Sequence, residues 1–240
     1  MQSLKSQNNS ATSLGALERK IRVKFKNDNL LETAFVHSSY LNEHKDHVKD
    51  HNERLEFLGD AVLELVTTEY LYSTFPDRGE GELTSLRAAL VKGNHLSQVA
   101  EGLQLGKFLF LSHGEEKSGG REKSYILANT LEALIGAIYL DRGFAVAHKF
   151  ISKFILTNLE DILRKGLHVD AKSKFQEIAQ DTLSVTPTYA VLSETGPDHD
   201  KVFEVGAYLG EILVAKGKGS SKQKAEQDAA VALLKEKGWN

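Results

Sequence analysis

The chain has 240 residues, 41% hydrophobic and 26% charged, the composition of a globular protein of one or two domains with a sizeable core. It has no cysteine, which excludes disulfides, thiolate nucleophiles and thiolate metal sites together. The formal net charge of −3 taken alone argues weakly against a nucleic-acid partner.

Met1–Ser13 is polar and Ser/Asn-rich and reads as a disordered tail. From residue 14 to about 165 the periodicity is mostly helical. Helices are expected over Leu14–Ile21, Leu30–Phe35, His51–Tyr72, Glu80–Leu90, Gly93–Gly102, Ser124–Asp141 and Ala145–Leu163. Turn signals such as Pro76-Asp77-Arg78-Gly79 and Ser118-Gly119-Gly120 punctuate them, and continuous strand alternation is absent. The chain does not open on a basic segment followed by an apolar run. The longest apolar stretch, near Leu131–Leu140, is too short to cross a bilayer, so a cytoplasmic protein without membrane contact is expected.

The pattern changes across 166–170, read as a linker. In 171–240 a helix over Ala171–Thr182 precedes β-branched and aromatic runs at Thr188–Ser193, Lys201–Leu209 and Glu211–Lys218. A last helix covers Lys222–Lys237. The expected fold class is therefore mainly α: an all-helical domain followed by a small α-β-β-β-α domain. Residues 171–240 carry nine Lys against ten Asp and Glu. Four of those lysines, Lys216, Lys218, Lys222 and Lys224, nevertheless fall within nine positions, so the total hides a local basic patch. A single surface lysine is ordinarily just solvated. A cluster beside the Gly/Ser-rich entry of a helix points to phosphates.

Within His51–Val66, HNERLEFLGDAVLELV, Glu53, Glu56 and Asp60 stand at i, i+3, i+7 and share one helical face among apolar neighbours. In Ser124–Asp141, Asn129 and Glu132 are three apart, and Ala133, Gly136 and Ala137 are small enough to let another helix approach. Two such faces can meet in an oxygen-lined site free of sulfur and imidazole, which favours Mg²⁺ or Mn²⁺ over Zn²⁺. Acids at helical spacing are more often a solvated face. Periodicity by itself leaves both readings open, and Glu64 and Glu69 fit it as well.

The segments HNERLEFLGDAVL, GELTSLRAALV, LEALIGAIYLDRG and AFVHSSYLNE, in this arrangement along the chain, resemble bacterial ribonuclease III, an endonuclease of double-stranded RNA. The resemblance covers essentially Leu14 to Gly238. It implies an all-helical nuclease domain that forms a homodimer, Mg²⁺ as cofactor with Mn²⁺ as substitute, and products with 5′-phosphates and short 3′ overhangs. It implies a role in processing ribosomal and other RNA. Glu56, Asp60 and Glu132 match the family's metal-binding and catalytic carboxylates, with Asp60 and Glu132 the most sensitive. Glu53 matches a further acidic position of dimer and site architecture. Phe57 matches an aromatic that packs into the partner subunit, where periodicity alone gives an ordinary core residue. Asn129 stands where the family usually has Asp; it keeps a ligating carbonyl oxygen, but the missing charge implies weaker Mg²⁺ affinity and reduced activity.

The C-terminal order, with GPDH and GKGSSKQKAEQDAA, resembles the double-stranded RNA-binding domain that follows the nuclease in this family. By that resemblance Lys222 and Lys224 meet phosphates, while Gln176, Glu177 and His199 meet minor-groove 2′-hydroxyls. Gln223 stands where a basic residue is common. Gly217 and Gly219 read as turn residues. His37, His44, His47 and His51 read as packing or surface residues, since no imidazole nucleophile is needed. Two rival readings stay open on sequence: a non-catalytic RNA-binding protein on this scaffold, and a helical metal phosphohydrolase acting on small nucleotides.

Overall fold

Residues 14–21 form helix α1, which buries Leu17 and Ile21, in a computed structural model of the chain that describes residues 14–44, 50–165, 171–197 and 200–239. The expected tail 1–13, the linker 166–170, His47 and His199 lie outside the described residues. The chain divides into two compact units, 1–168 and 169–240.

In the first unit, short helices α2 (Asp28–Thr33) and α3 (Ser38–Glu43) lead into α4 (Glu53–Thr74). Asn27 caps α2 by accepting from the Asn29 N–H. His37 caps α3 through Nδ1, which accepts from the Ser39 N–H. The packing role expected of His37 is therefore a capping role, and His44 stacks on Tyr40 with ring centroids 4.0 Å apart. There follow α5 (Glu80–Val91), α6 (Gly93–Gly102), α7 (His113–Lys117) and α8 (Ser124–Arg142). Nearly every residue of α8 from Ile126 to Ile138 is buried, because other helices pack around it.

The expected helix Ala145–Leu163 is broken into three. Helix α9 (Phe144–Phe154) ends at Ile155, a 3₁₀ turn covers Leu156–Asn158, and α10 (Leu159–Lys165) follows. The adjacent Ile155 and Leu156 are both buried, as are Leu159 and Ile162. The tighter turn re-aims the apolar stripe so that all four reach one core.

The second unit opens with α11 (Ala171–Leu183), then β1 (Thr188–Thr195), β2 (Val202–Leu209), β3 (Ile212–Gly219) and α12 (Lys222–Lys237). The strands form an antiparallel sheet in the order β1-β2-β3. Phe175 and Ala179 of α11 pack with Ala207 and with Ala229, Ala230 and Leu233 of α12. Gly217 and Gly219 lie inside β3, not in a turn. A Cβ on Gly217 would stand 2.1 Å from the Ala229 nitrogen, and one on Gly219 2.5 Å from the Ala225 nitrogen. Their bare backbones let α12 lie directly on the strand.

Candidate active site

The site begins at the crossing of α4 and α8, the most extensive helix pair of the first unit. A Cβ added to Gly59 would fall 1.8 Å from the carbonyl oxygen of Glu132, and one on Gly136 would fall 2.2 Å from that of Leu55. The two backbones therefore touch where Glu56, Asp60 and Glu132 leave their helices. Gly136 carries a legible signal, a small residue on an apolar helix. Gly59 was not singled out from the sequence; its signal is its place between Glu56 and Asp60.

Each acid sits differently. Glu53 and Asp60 are exposed, while Glu56, Asn129 and Glu132 are partly buried. Burial pushes the Glu132 carboxyl up to about 7, and the charges of Asp60 and then Glu56 push the same way. Glu56 is also raised, first by burial and then by Glu53, with Asp60 adding to it. A hydrogen bond with Asn129 opposes the rise. The Asn129 amide N–H donates to the Glu56 carboxylate, an interaction that Asp could not make while ionised. The amide at position 129 thus adds a contact to Glu56 without adding a fourth negative charge.

Among the described residues no three Asp, Glu, His or Cys side chains already surround a single point as a metal cluster. The donor set nevertheless suits a hard divalent cation. It is all oxygen, it lies at a close helix crossing, and the charges of Asp60 and Glu56 raise Glu132 in a way that a cation would relieve. A cavity of about 860 Å³, lined in part by Lys20, His95, Phe154 and Asn158, contains none of these acids.

Phe57 is 81% exposed, which rules out the ordinary core role that periodicity gave it. Leu65 and Tyr72, also exposed, continue the same side of α4. In the second unit Gln176 and Glu177 lie exposed on α11. Ser221 caps α12 by accepting from the Lys224 N–H at 3.3 Å, and Lys224 Nζ is 3.1 Å from Ser220 Oγ. Lys222 Nζ lies 3.5 Å from a Glu194 carboxylate oxygen and 5.8 Å from the Phe203 ring centroid. Helices α11 and α12 pack side by side, so the expected contacts on the two helices share one unit.

Comparison with known proteins fits this division. Residues 27–159 match the family described as ribonuclease-III-like, and residues 171–237 match the double-stranded RNA binding motif. The chain is 46% identical over 214 residues to ribonuclease 3 of Desulforamulus reducens, covering 89% of this chain and 87% of that one. It is 47% identical over 206 residues to ribonuclease 3 of Streptococcus gordonii, covering 86% and 88%. A solved nuclease domain of ribonuclease III from Campylobacter jejuni, described for flexibility in a region of dimer formation, superposes with a TM-score of 0.55 at 45% identity. It covers 59% of this chain and 95% of that domain. The family is generally dependent on a divalent metal ion. No described helix is long and apolar enough to cross a membrane. With a helical nuclease unit and an RNA-binding unit in this order, the chain belongs to the ribonuclease III family of double-strand-specific endoribonucleases.

Proposed function

We propose that Glu56, Asp60 and Glu132, with the Asn129 amide oxygen, hold the divalent ion at which this enzyme cuts duplex RNA, and that the ion is Mg²⁺ with Mn²⁺ as substitute. The observation that carries the reading is the meeting of Glu56, Asp60 and Glu132 at one close helix crossing, where the charges of Asp60 and Glu56 press on the part-buried Glu132. When bound there, the ion supplies a more acidic water and neutralises charge on the phosphate. The protein's part is placement. The Gly59–Gly136 contact fixes the spacing of the two helices, and the Asn129 hydrogen bond aims the Glu56 carboxylate. Glu132, raised to about 7 without the ion, would be held ionised by a cation bound beside it. Lys222 and Lys224 meet phosphates, while Gln176, Glu177 and His199 meet the minor groove, so the duplex is held by shape and not by sequence. In the cell we place the enzyme in the cytoplasm, processing ribosomal and other RNA.

Cleavage of a long RNA duplex with Mg²⁺, with Mn²⁺ and with EDTA tests this. Activity must vanish in EDTA; metal-independent cleavage overturns the reading. Asn129→Asp should cleave at lower Mg²⁺ than the wild type. The same result separates the enzyme from a non-catalytic RNA-binding protein.

The exposed face of α4 supports a homodimer, because Phe57, Leu65 and Tyr72 offer one copy the same apolar stripe as the other. Two copies would set two cutting sites against opposite strands. Phe57→Ser should shift the dimer toward monomer in sedimentation at micromolar concentration; an unchanged dimer would move the interface elsewhere.

A further inference from the structure

The nuclease unit carries a basic groove that the site above does not use. After the turn at Arg22 that ends α1, burial alternates along residues 22–26: Val23 and Phe25 are buried while Arg22, Lys24 and Lys26 are exposed. Across from them α9 exposes Lys149 and Lys153, one helical turn apart. The groove between, about 480 Å³, is lined by Arg22, Lys24, Arg142, Lys149 and Lys153 over an apolar floor, with no acidic residue in its lining.

Nearby acids are already committed. Glu18 accepts from Lys24 Nζ and from the Phe25 N–H, each at 2.8 Å. Asp141 accepts from the Lys26 and Asn27 N–H groups at 2.8 and 2.9 Å. Arg22 and Lys149 have no ion pair among the described residues, and Lys153 has only the Phe154 ring, 4.8 Å from Nζ. Like charges at i, i+4 repel, and here they face more of the same sign. Arg22 moreover has φ +58°, a left-handed conformation that glycine adopts without strain and a long side chain does not. A chain of net charge −3 has concentrated unpaired cations at one place.

We propose that this groove is an exosite for the phosphate backbone of the RNA substrate, engaged by duplexes that extend beyond the cutting site. The assignment rests on the family's double-strand-specific cleavage. Charge points to a polyanion, and the one exposed-edge aromatic of the floor, Phe154, already has the Lys153 ammonium over its ring, which favours phosphates over stacked bases. Arg142 closes α8, ten residues after Glu132, so the groove begins about 15 Å along the helix from the catalytic acid. A long duplex held at Glu132 has phosphates within that distance.

The test compares the full-length wild type with Arg22→Gln/Lys149→Gln/Lys153→Gln and with the charge-retaining Arg22→Lys/Lys149→Arg/Lys153→Arg. Binding is measured against salt for a duplex confined to the cutting site and for one several helical turns longer. For the long duplex, the slope of log K against log salt should fall in magnitude by about one per cation removed. It should recover in the charge-retaining protein, while the short duplex is bound and cut alike by all three. Equal slopes on the long duplex overturn the exosite, and leave the nuclease reading intact if the short duplex is still cut. Capture of poly-glutamate that the Gln variant loses, with RNA slopes unchanged, also overturns it and assigns the groove to an acidic protein.

Discussion

Gly59→Ala should lower the melting temperature of the nuclease domain by about 6–12 °C and cut turnover by about a hundredfold or more. The added methyl lies 1.8 Å from the Glu132 carbonyl oxygen and 2.9 Å from the Gly136 nitrogen, both backbone atoms that cannot swing aside. The helices must part, at a cost of about 3 kcal/mol, the upper range for an overpacked core. That movement separates Asp60 and Glu56 from Glu132, which is why activity falls further than stability alone predicts. Gly15→Ala in α1 is the control. Its methyl meets only the mobile end of Arg19 at 3.8 Å, and the change should be neutral or slightly stabilising. Thermal melts and cleavage rates read both. If Gly59→Ala melts and cuts like the wild type, the crossing does not set the site.

Glu132→Gln should abolish cleavage by more than about a hundredfold, since even outer contacts of a metal site are worth 10- to 100-fold, and should leave duplex binding intact. In the metal-free protein it should also stabilise at alkaline pH. Burial raises the folded-state pKa of Glu132 to about 7, above its ordinary 4.5. The carboxyl therefore favours folding while protonated. That advantage is complete below about pH 4.5 and is lost as pH rises through about 7. Because Glu132 remains partly open to solvent, the loss is of the order of 2 kcal/mol. Gln carries no such charge, so in EDTA wild type and variant should melt together near pH 4.5 and diverge by about 4–8 °C at pH 8, the variant higher. Mg²⁺ should then raise the wild-type midpoint and move the variant far less. A wild type that is equally stable at both pH values in EDTA would show that Glu132 is not the buried, repelled acid described above.

Much of the scaffold was legible along the chain. Helical periodicity over His51–Tyr72 gave most of α4, the small residues Ala133, Gly136 and Ala137 marked α8 as a helix that another could approach, and partial alternation in runs from Thr188, Lys201 and Glu211 gave three strands in order, the last two starting one residue later at Val202 and Ile212. The break at Ile155 was not legible, because the stripe continues through it and only the shared core requires a tighter turn. Phe57 read as core by local pattern; its exposure depends on which side of α4 the rest of the unit covers. Gly217 and Gly219 looked like punctuation, and only the placement of α12 shows them as contact surface.

The sequence by itself determined which oxygens stand on which helix faces, the order of the nuclease and RNA-binding units, and the family they resemble, because these follow from local periodicity and contiguous motifs. The tertiary structure decided how closely α4 and α8 cross, that Asn129 hydrogen-bonds Glu56, and that Glu132 is crowded by burial and by two like charges. It also gathered Arg22, Lys149 and Lys153, far apart in the chain, around one groove. Those are properties of distance between remote segments and of exposure to water, and neither is encoded in the spacing of residues along one helix.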